Sequence, residues 1–197
     1  MHAYRMFFLR GFYSIYNRIV KRRGILERYN GLKLEWLHDS IWFIVIIIAV
    51  FVLFRFVIGL SVVGGDSMYP TLQDGQLVLY TRVVREYKPG DVITMHVPSG
   101  EYYVKRVIAS GGDVVDLRQG KVYVNGKEVQ DRFGFGQTER ATGAVIYPYT
   151  VRSGNVFVLG DNREVSMDSR TFGEVSYRQI RGKILYRIDY HGLHKVE

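Results

Sequence analysis

Ser67 stands in the run Asp66-Ser67-Met68-Tyr69-Pro70-Thr71-Leu72, and Lys105 in Glu101-Tyr102-Tyr103-Val104-Lys105-Arg106-Val107-Ile108-Ala109. A serine hydroxyl becomes a useful nucleophile only when a neighbouring base takes its proton; it can then attack a carbonyl and carry the acyl group. The chain has no cysteine, which excludes thiol nucleophiles, disulfides and cysteine-ligated metals. A base for Ser67 must therefore be sought among the histidines and lysines. Of the five histidines, His2 and His38 precede the longest apolar run and His191 and His194 fall in a polar tail, which leaves His96. His96 ends a β-like run before Val97-Pro98, the usual setting of a partly exposed structural histidine. No Gly-x-Ser-x-Gly turn accompanies Ser67 to support a histidine triad.

Lys105 is the better candidate. Strand alternation puts Tyr103, Lys105 and Val107 on one face and Tyr102, Val104, Arg106 and Ile108 on the other, so Lys105 has apolar neighbours and Arg106 points away. A free lysine titrates near about 10.4, too high for a base at neutral pH. Desolvation disfavours its charged form, and lowering it by about two to three pH units costs about 3–4 kcal/mol. A neutral amine could then accept the Ser67 proton. Taken alone, the same run also fits a lysine that snorkels at a surface.

The elements around these residues divide the chain at a single apolar stretch. Residues 41–54 are all apolar, and after Arg55 the sequence continues Phe-Val-Ile-Gly-Leu-Ser-Val-Val. Fourteen helical residues rise only about 21 Å against a hydrocarbon core of roughly 30 Å, so a span must run past Arg55. An arginine at the bilayer centre costs at least about 2.5 kcal/mol, but near a helix end it can place its guanidinium among the headgroups. We expect a transmembrane helix over residues 41–60, with Trp36 and Trp42 at its near end. The forty residues before the run argue against a cleaved leader.

The formal net charge is +8, but its distribution matters more than its sum. Residues 1–40 hold eight Lys/Arg against three Asp/Glu, whereas residues 64–197 hold eighteen against sixteen. The positive-inside rule then keeps residues 1–40 cytoplasmic and sends residues 61–197 across the membrane. Within the head, Tyr4, Phe7, Phe8, Phe12, Ile15, Tyr16 and Ile19 recur at helical spacing among Arg5, Arg10, Arg18 and Arg22. That pattern fits an amphipathic helix on anionic lipid, and equally a basic head without fixed structure. Because the excess charge avoids residues 64–197, nucleic acid is not an expected partner.

Past the span, short β-favouring runs are broken by Gly, Asp, Pro and Asn: residues 76–80, 91–97, 101–109, 121–124, 156–159 and 180–188. The expected fold class is all-β: one N-terminal transmembrane helix followed by an antiparallel, barrel-like sheet domain. Asn125-Gly126 between Val122-Tyr123-Val124 and Lys127-Glu128-Val129 predicts a hairpin with a two-residue type I′ turn. Residues 130–150, with Gly134, Gly136 and Gly143, read as a loop or a poorly ordered excursion.

Four blocks together resemble the bacterial type I signal peptidases, membrane serine endopeptidases with a Ser/Lys dyad, and they occur in that family's order. The nucleophile box corresponds to residues 66–72, and Pro89-Gly90-Asp91-Val92-Ile93 to the strand after it. Residues 103–109 with Gly112-Asp113 are similar to the base box. The last box is Gly160-Asp161-Asn162-Arg163-Glu164-Val165-Ser166-Met167-Asp168-Ser169-Arg170, followed by Phe172-Gly173-Glu174-Val175.

The resemblance implies Ser67 as nucleophile, Lys105 as general base and then general acid, and Ser166 as the serine that orients the lysine amine. It places Asp168, Arg170 and Arg106 in a supporting ion-pair cluster. Val63, Met68, Tyr103 and Val104 would form shallow apolar pockets for the small side chains at the first and third positions before the cut, as in Ala-x-Ala. The oxyanion hole would lie at the Ser67 N–H and position 65. Some members carry a serine two residues before the nucleophile, whereas here Gly65 offers no side-chain donor, so a second donor is expected from backbone or water.

The implied partners are preprotein signal peptides, the anionic bilayer and the translocation machinery, and no cofactor or metal is called for. A catalytically silent assembly factor would lack the serine or the lysine, and both are present. A peptidase dedicated to one substrate or gene cluster remains compatible with the same residues.

Overall fold

The computed structural model describes residues 31–97, 100–130, 132–141 and 145–196, with side chains from His38 onward. The amphipathic head, residues 1–30, and Gly143 lie outside the described residues. The chain divides into two compact units, Met1–Phe51 and Val52–Glu197.

Helix α1, Gly31–Val52, begins ten residues before the expected span, and a π-helical turn over Leu53–Val57 follows it. The stretch His38–Val57, 20 residues, is long and apolar enough to cross a membrane. Its side chains from Ile41 to Phe56 are exposed all round in the protein alone, the surface expected of a helix whose solvent is lipid. The helical backbone ends at Val57, three residues short of the expected limit. Ile58 turns to extended backbone, and Ile58–Val62 forms strand β1. An apolar run cannot by its period separate the last turn of a span from a half-buried strand.

Twelve strands follow one another: β1 Ile58–Val62, β2 Leu77–Thr81, β3 Val92–His96, β4 Tyr102–Ser110, β5 Val114–Arg118, β6 Lys121–Val124, β7 Lys127–Glu128, β8 Tyr149–Thr150, β9 Asn155–Leu159, β10 Val175–Ser176, β11 Ile180–Asp189 and β12 Gly192–Lys195. All of these ladders are antiparallel. One sheet runs β1-β2-β11-β3-β4-β9-β10, with β12 paired to β11, and a second runs β7-β6-β5-β8. The hairpin at Asn125-Gly126 forms as expected, both residues at positive φ between the Val124–Lys127 pair.

Two apolar clusters pack the larger sheet, one around Ile93, Met95, Val107, Val156 and Val158, the other around Val63, Met68, Leu72, Val78 and Ile184. A third joins the two sheets through Ile108, Val115, Leu117, Val122, Phe157 and Leu159. Between β1 and β2 the register sets Gly59 opposite Tyr80. A Cβ on Gly59 would lie 2.3 Å from the Tyr80 ring, so only glycine leaves room for that ring. The site is built where β1, β3 and β4 meet the segment from Gly160 to the short helix α2, Ser169–Phe172.

Candidate active site

Ser67 sits on the turn between β1 and β2, and its neighbours fix it. Val63, Met68 and Leu72 are buried in the core, and a helical turn closes through Leu72 N–H to Met68 carbonyl at 2.9 Å. The Ser67 carbonyl accepts from Asn162 N–H at 3.0 Å, which binds the turn to the chain after β9. Its hydroxyl is left facing β4, where Lys105 Nζ donates to Ser67 Oγ at 2.7 Å. The histidine alternative has no counterpart here: His96 is exposed at the end of β3 and packs edge-on against Tyr102.

Lys105 is only 3 % exposed. Burial pushes its pKa down to about 8; Asp168 and Asp161 pull it back up and Arg170 adds to the fall. Its ammonium also lies 5.2 Å from the centre of the Tyr103 ring, a contact that favours the charged form. Desolvation outweighs these opposing contributions, so the amine is far easier to deprotonate than a free lysine.

Around the pair lies a scaffold of buried arginine–carboxylate forks. Arg170 donates through Nε and Nη2 to the two Asp168 oxygens at 2.8 and 2.9 Å. Asp168 also caps α2 and accepts from Gly160 N–H at 3.1 Å. Arg106 does not join this pair. It forks onto Asp161 at 2.7 Å through each of Nε and Nη2, donates to the Gly90 carbonyl and stacks on Phe133. The expected single cluster is thus two separate forks, because alternation sends Arg106 to the opposite side of β4 from Lys105. Both forks are almost wholly buried, and geometry this good is what lets such a pair offset its desolvation.

Ser166 differs from expectation in a specific way. Its Oγ is buried beside Ser67 but makes no hydrogen bond to any described residue, and Lys105 is instead held by Ser67. A Cβ on Gly160 would fall 2.2 Å from Ser166 Oγ and 2.5 Å from the Ser67 carbonyl, so Gly160 exists as glycine to let these groups close on each other. Gly65 also departs from its expected part. Its φ is +77°, and its N–H is already given to Asp74 Oδ1 at 2.7 Å. The Ser67 N–H, by contrast, has no acceptor among the described residues.

Beside Ser67 and Lys105 opens a cleft of about 190 Å³, lined by residues from β1, β3, β4 and the last box. Tyr103 and Val104 line it as expected. Val63 and Met68 do not: both are buried in the core, and Ser61, Val62 and Gly64 line the cleft around Val63. Val165 and Met167 form the opposite wall, with Tyr103 Oη donating to Glu101 at 3.1 Å and reaching Met167 sulfur at 3.7 Å. Asp161, Gly160, Asn162, Thr94 and Met167 were not singled out from the sequence. Gly160, Asp161, Asn162 and Met167 sit in the last box, but residue type does not reveal which of its atoms face Ser67.

Strand β4 pairs with β3 from Tyr102 to Arg106 but meets β9 only from Arg106 onward. Residues 102–105 therefore keep one ladder edge free, along the cleft. Among the described residues no three His, Cys, Asp or Glu come together as a metal site.

Residues 34–188 match the family model described as signal peptidase, peptidase S26. Signal peptidase IB of Staphylococcus aureus (strain COL) is 34% identical over 166 residues, covering 74% of this chain and 87% of that protein. Signal peptidase I of Bacillus caldolyticus is 37% identical over 163 residues with the same coverage. A crystal structure of a signal peptidase I from Enterococcus faecalis V583 aligns at 29% identity and a TM-score of 0.40, over 51% of this chain and 97% of that one.

Proposed function

The chain belongs to the signal peptidase family, peptidase S26, serine peptidases that cleave signal peptides, and from that premise we propose that Ser67 and Lys105 are its nucleophile and base. The observation that carries this reading is the 2.7 Å contact between a buried lysine amine and a serine hydroxyl beside a small cleft.

Once Lys105 has lost its proton, the hydrogen bond reverses and Ser67 O–H donates to the amine. Ser67 Oγ then attacks the carbonyl after the small residue, and its proton passes to Lys105. The oxyanion that forms is taken by the Ser67 N–H, the donor left open at the turn, with a second donor from backbone or water. Collapse breaks the C–N bond, Lys105 returns the proton to the departing amine, and the acyl group stays on Ser67. Lys105 next takes a proton from water, the resulting hydroxide equivalent attacks the ester, and Ser67 leaves with the proton.

The free edge at residues 102–105 supports binding of the preprotein as an added strand. In such a strand the residues first and third before the cut turn the same face to the protein. The small cleft with Val62, Val104 and Val165 in its walls favours small side chains there, the Ala-x-Ala pattern.

Ser166 is a supporting hydroxyl within reach of rearrangement, and the Asp168–Arg170 and Arg106–Asp161 forks hold the nucleophile's surroundings rigid. The span His38–Val57 anchors the enzyme, with residues 1–40 cytoplasmic and residues 61–197 outside, on anionic lipid and near the translocation machinery. The test compares purified wild type, Ser67→Ala and Lys105→Ala on a preprotein bearing Ala-x-Ala. Both variants should lose at least about a thousandfold in kcat/KM. Alanine variants that cut as fast as wild type would sink the assignment.

A further inference from the structure

Thr71 ends the helical turn that carries Ser67, and two arginines grip it. The turn starts at Asp66, whose carbonyl accepts Tyr69 N–H at 3.1 Å, and closes where Leu72 N–H donates to the Met68 carbonyl at 2.9 Å. The last carbonyls of such a turn have no backbone donor. The Thr71 carbonyl is taken instead by a side chain 116 residues further on: Arg187 Nη1, from β11, donates to it at 2.9 Å. Arg106 Nη2 donates to the hydroxyl of the same residue at 3.3 Å.

Arginine is an unusual choice for position 187. It stands opposite Val78 in the β2–β11 ladder, and residues paired across a ladder share a face. Val78 is fully buried in the cluster with Val63, Met68 and Leu72, so Arg187 lies on the core face of the sheet, half-buried. Among the described residues no carboxylate pairs with it, and the Thr71 carbonyl is its acceptor. A cation in that setting carries a desolvation cost that an apolar side chain would avoid, so packing alone does not call for arginine. The other ties on the turn come from one side. Asn162 N–H holds the Ser67 carbonyl, and Arg106 forks onto the neighbouring Asp161. Ties on one side leave the turn free to tilt, and a tilt would move both the Ser67 N–H and the hydroxyl held 2.7 Å from Lys105. Arg187 supplies the tie from a different strand.

We infer that Arg187 is a positioning residue for the reaction: its hydrogen bond to the Thr71 carbonyl fixes the tilt of the helical turn and so aims the Ser67 hydroxyl and N–H. This role rests on Ser67 being the nucleophile. Arg187 makes one donor contact here rather than a bidentate fork, so a lysine ammonium can stand in for it.

The experiment measures kcat and KM against pH for full-length enzyme in detergent on a preprotein bearing Ala-x-Ala, in wild type, Arg187→Met, Arg187→Lys and Ser67→Ala. Methionine keeps the apolar stem and removes the donor. Arg187→Met should lose roughly 10- to 100-fold in kcat with KM changed by less than about twofold, since a misaimed nucleophile is felt in the transition state rather than in binding. Arg187→Lys should bring kcat back to within about threefold of wild type. The kcat/KM profile of Arg187→Met should keep its midpoint near about 8 and lose only its plateau, because Lys105 stays buried. A midpoint moved toward about 10.4 would mean that the domain has loosened and solvated Lys105, which overturns the inference. So does an Arg187→Lys enzyme as slow as Arg187→Met, or an Arg187→Met enzyme with the kcat of wild type. None of these outcomes touches the nucleophile assignment, which falls only if Ser67→Ala still cuts.

Discussion

At the scale of single residues, the decisive quantity is the protonation state of Lys105. Its pKa near 8 places the working form within reach of ordinary conditions, so kcat/KM measured against pH should rise through about 8 and level above it. A rise centred near about 10.4 would mean the lysine is not desolvated in the free enzyme. The same shift has a cost in stability. The folded pKa is depressed, so below about 8 the amine is charged in both states and its full burial cost is present; from about 8 to 10.5 the unfolded chain holds more protons and stability climbs with pH. Lys105→Met should therefore abolish cleavage and stabilise the protein at pH 7 by roughly 2–3 kcal/mol in denaturant unfolding. That gain should shrink toward pH 10. The apolar strand neighbours of Lys105 made it a candidate in the sequence, but only the resemblance of the surrounding blocks singled it out. The partner of Arg106 was not, since nothing in a linear pattern says that Asp161, rather than Asp168, reaches across from the next strand end.

At the scale of elements, glycines separate what the site needs from what the fold needs. Gly126 serves a turn remote from the cleft, where a Cβ would meet nothing but would sit at φ +77°. Gly126→Ala should cost about 1–2 kcal/mol of stability and leave kcat/KM unchanged. Gly160→Ala should do the reverse in emphasis: the added carbon collides with the Ser67 carbonyl, and displacing the nucleophile by a fraction of an ångström should cost on the order of a hundredfold in kcat/KM. Equal losses of activity in the two variants would refute this contrast. The hairpin was readable because Asn-Gly is a local turn signal, and the six β-favouring runs all became strands. Strands β1, β5, β8, β10 and β12 were missed; β8 and β10 are only two residues long and held by partners distant in sequence, and β12 is a short return strand on β11. Val63 and Met68 were misplaced for a related reason, since the face a residue presents depends on where the turn between β1 and β2 enters the core.

At the scale of the molecule, the apolar helix should behave as a membrane span. Ile47→Arg puts a charge at the middle of His38–Val57 and should cost about 2.5–3.5 kcal/mol of insertion, visible as protein lost from the carbonate-resistant membrane fraction. In intact spheroplasts, external protease should reach residues 61–197 and spare an N-terminal tag; the opposite pattern would reverse the orientation. The free edge of β4 has a further consequence once such a molecule turns over. Ladder hydrogen bonds from residues 102–105 to an added substrate strand would not change as the carbonyl goes from planar to tetrahedral and back, so they would hold substrate, transition state and acyl-enzyme alike. Binding of that kind lowers KM without accelerating the bond-breaking step. It also retains the severed segment, since the cut leaves those bonds in place, and an edge good at capture is to the same degree slow to clear.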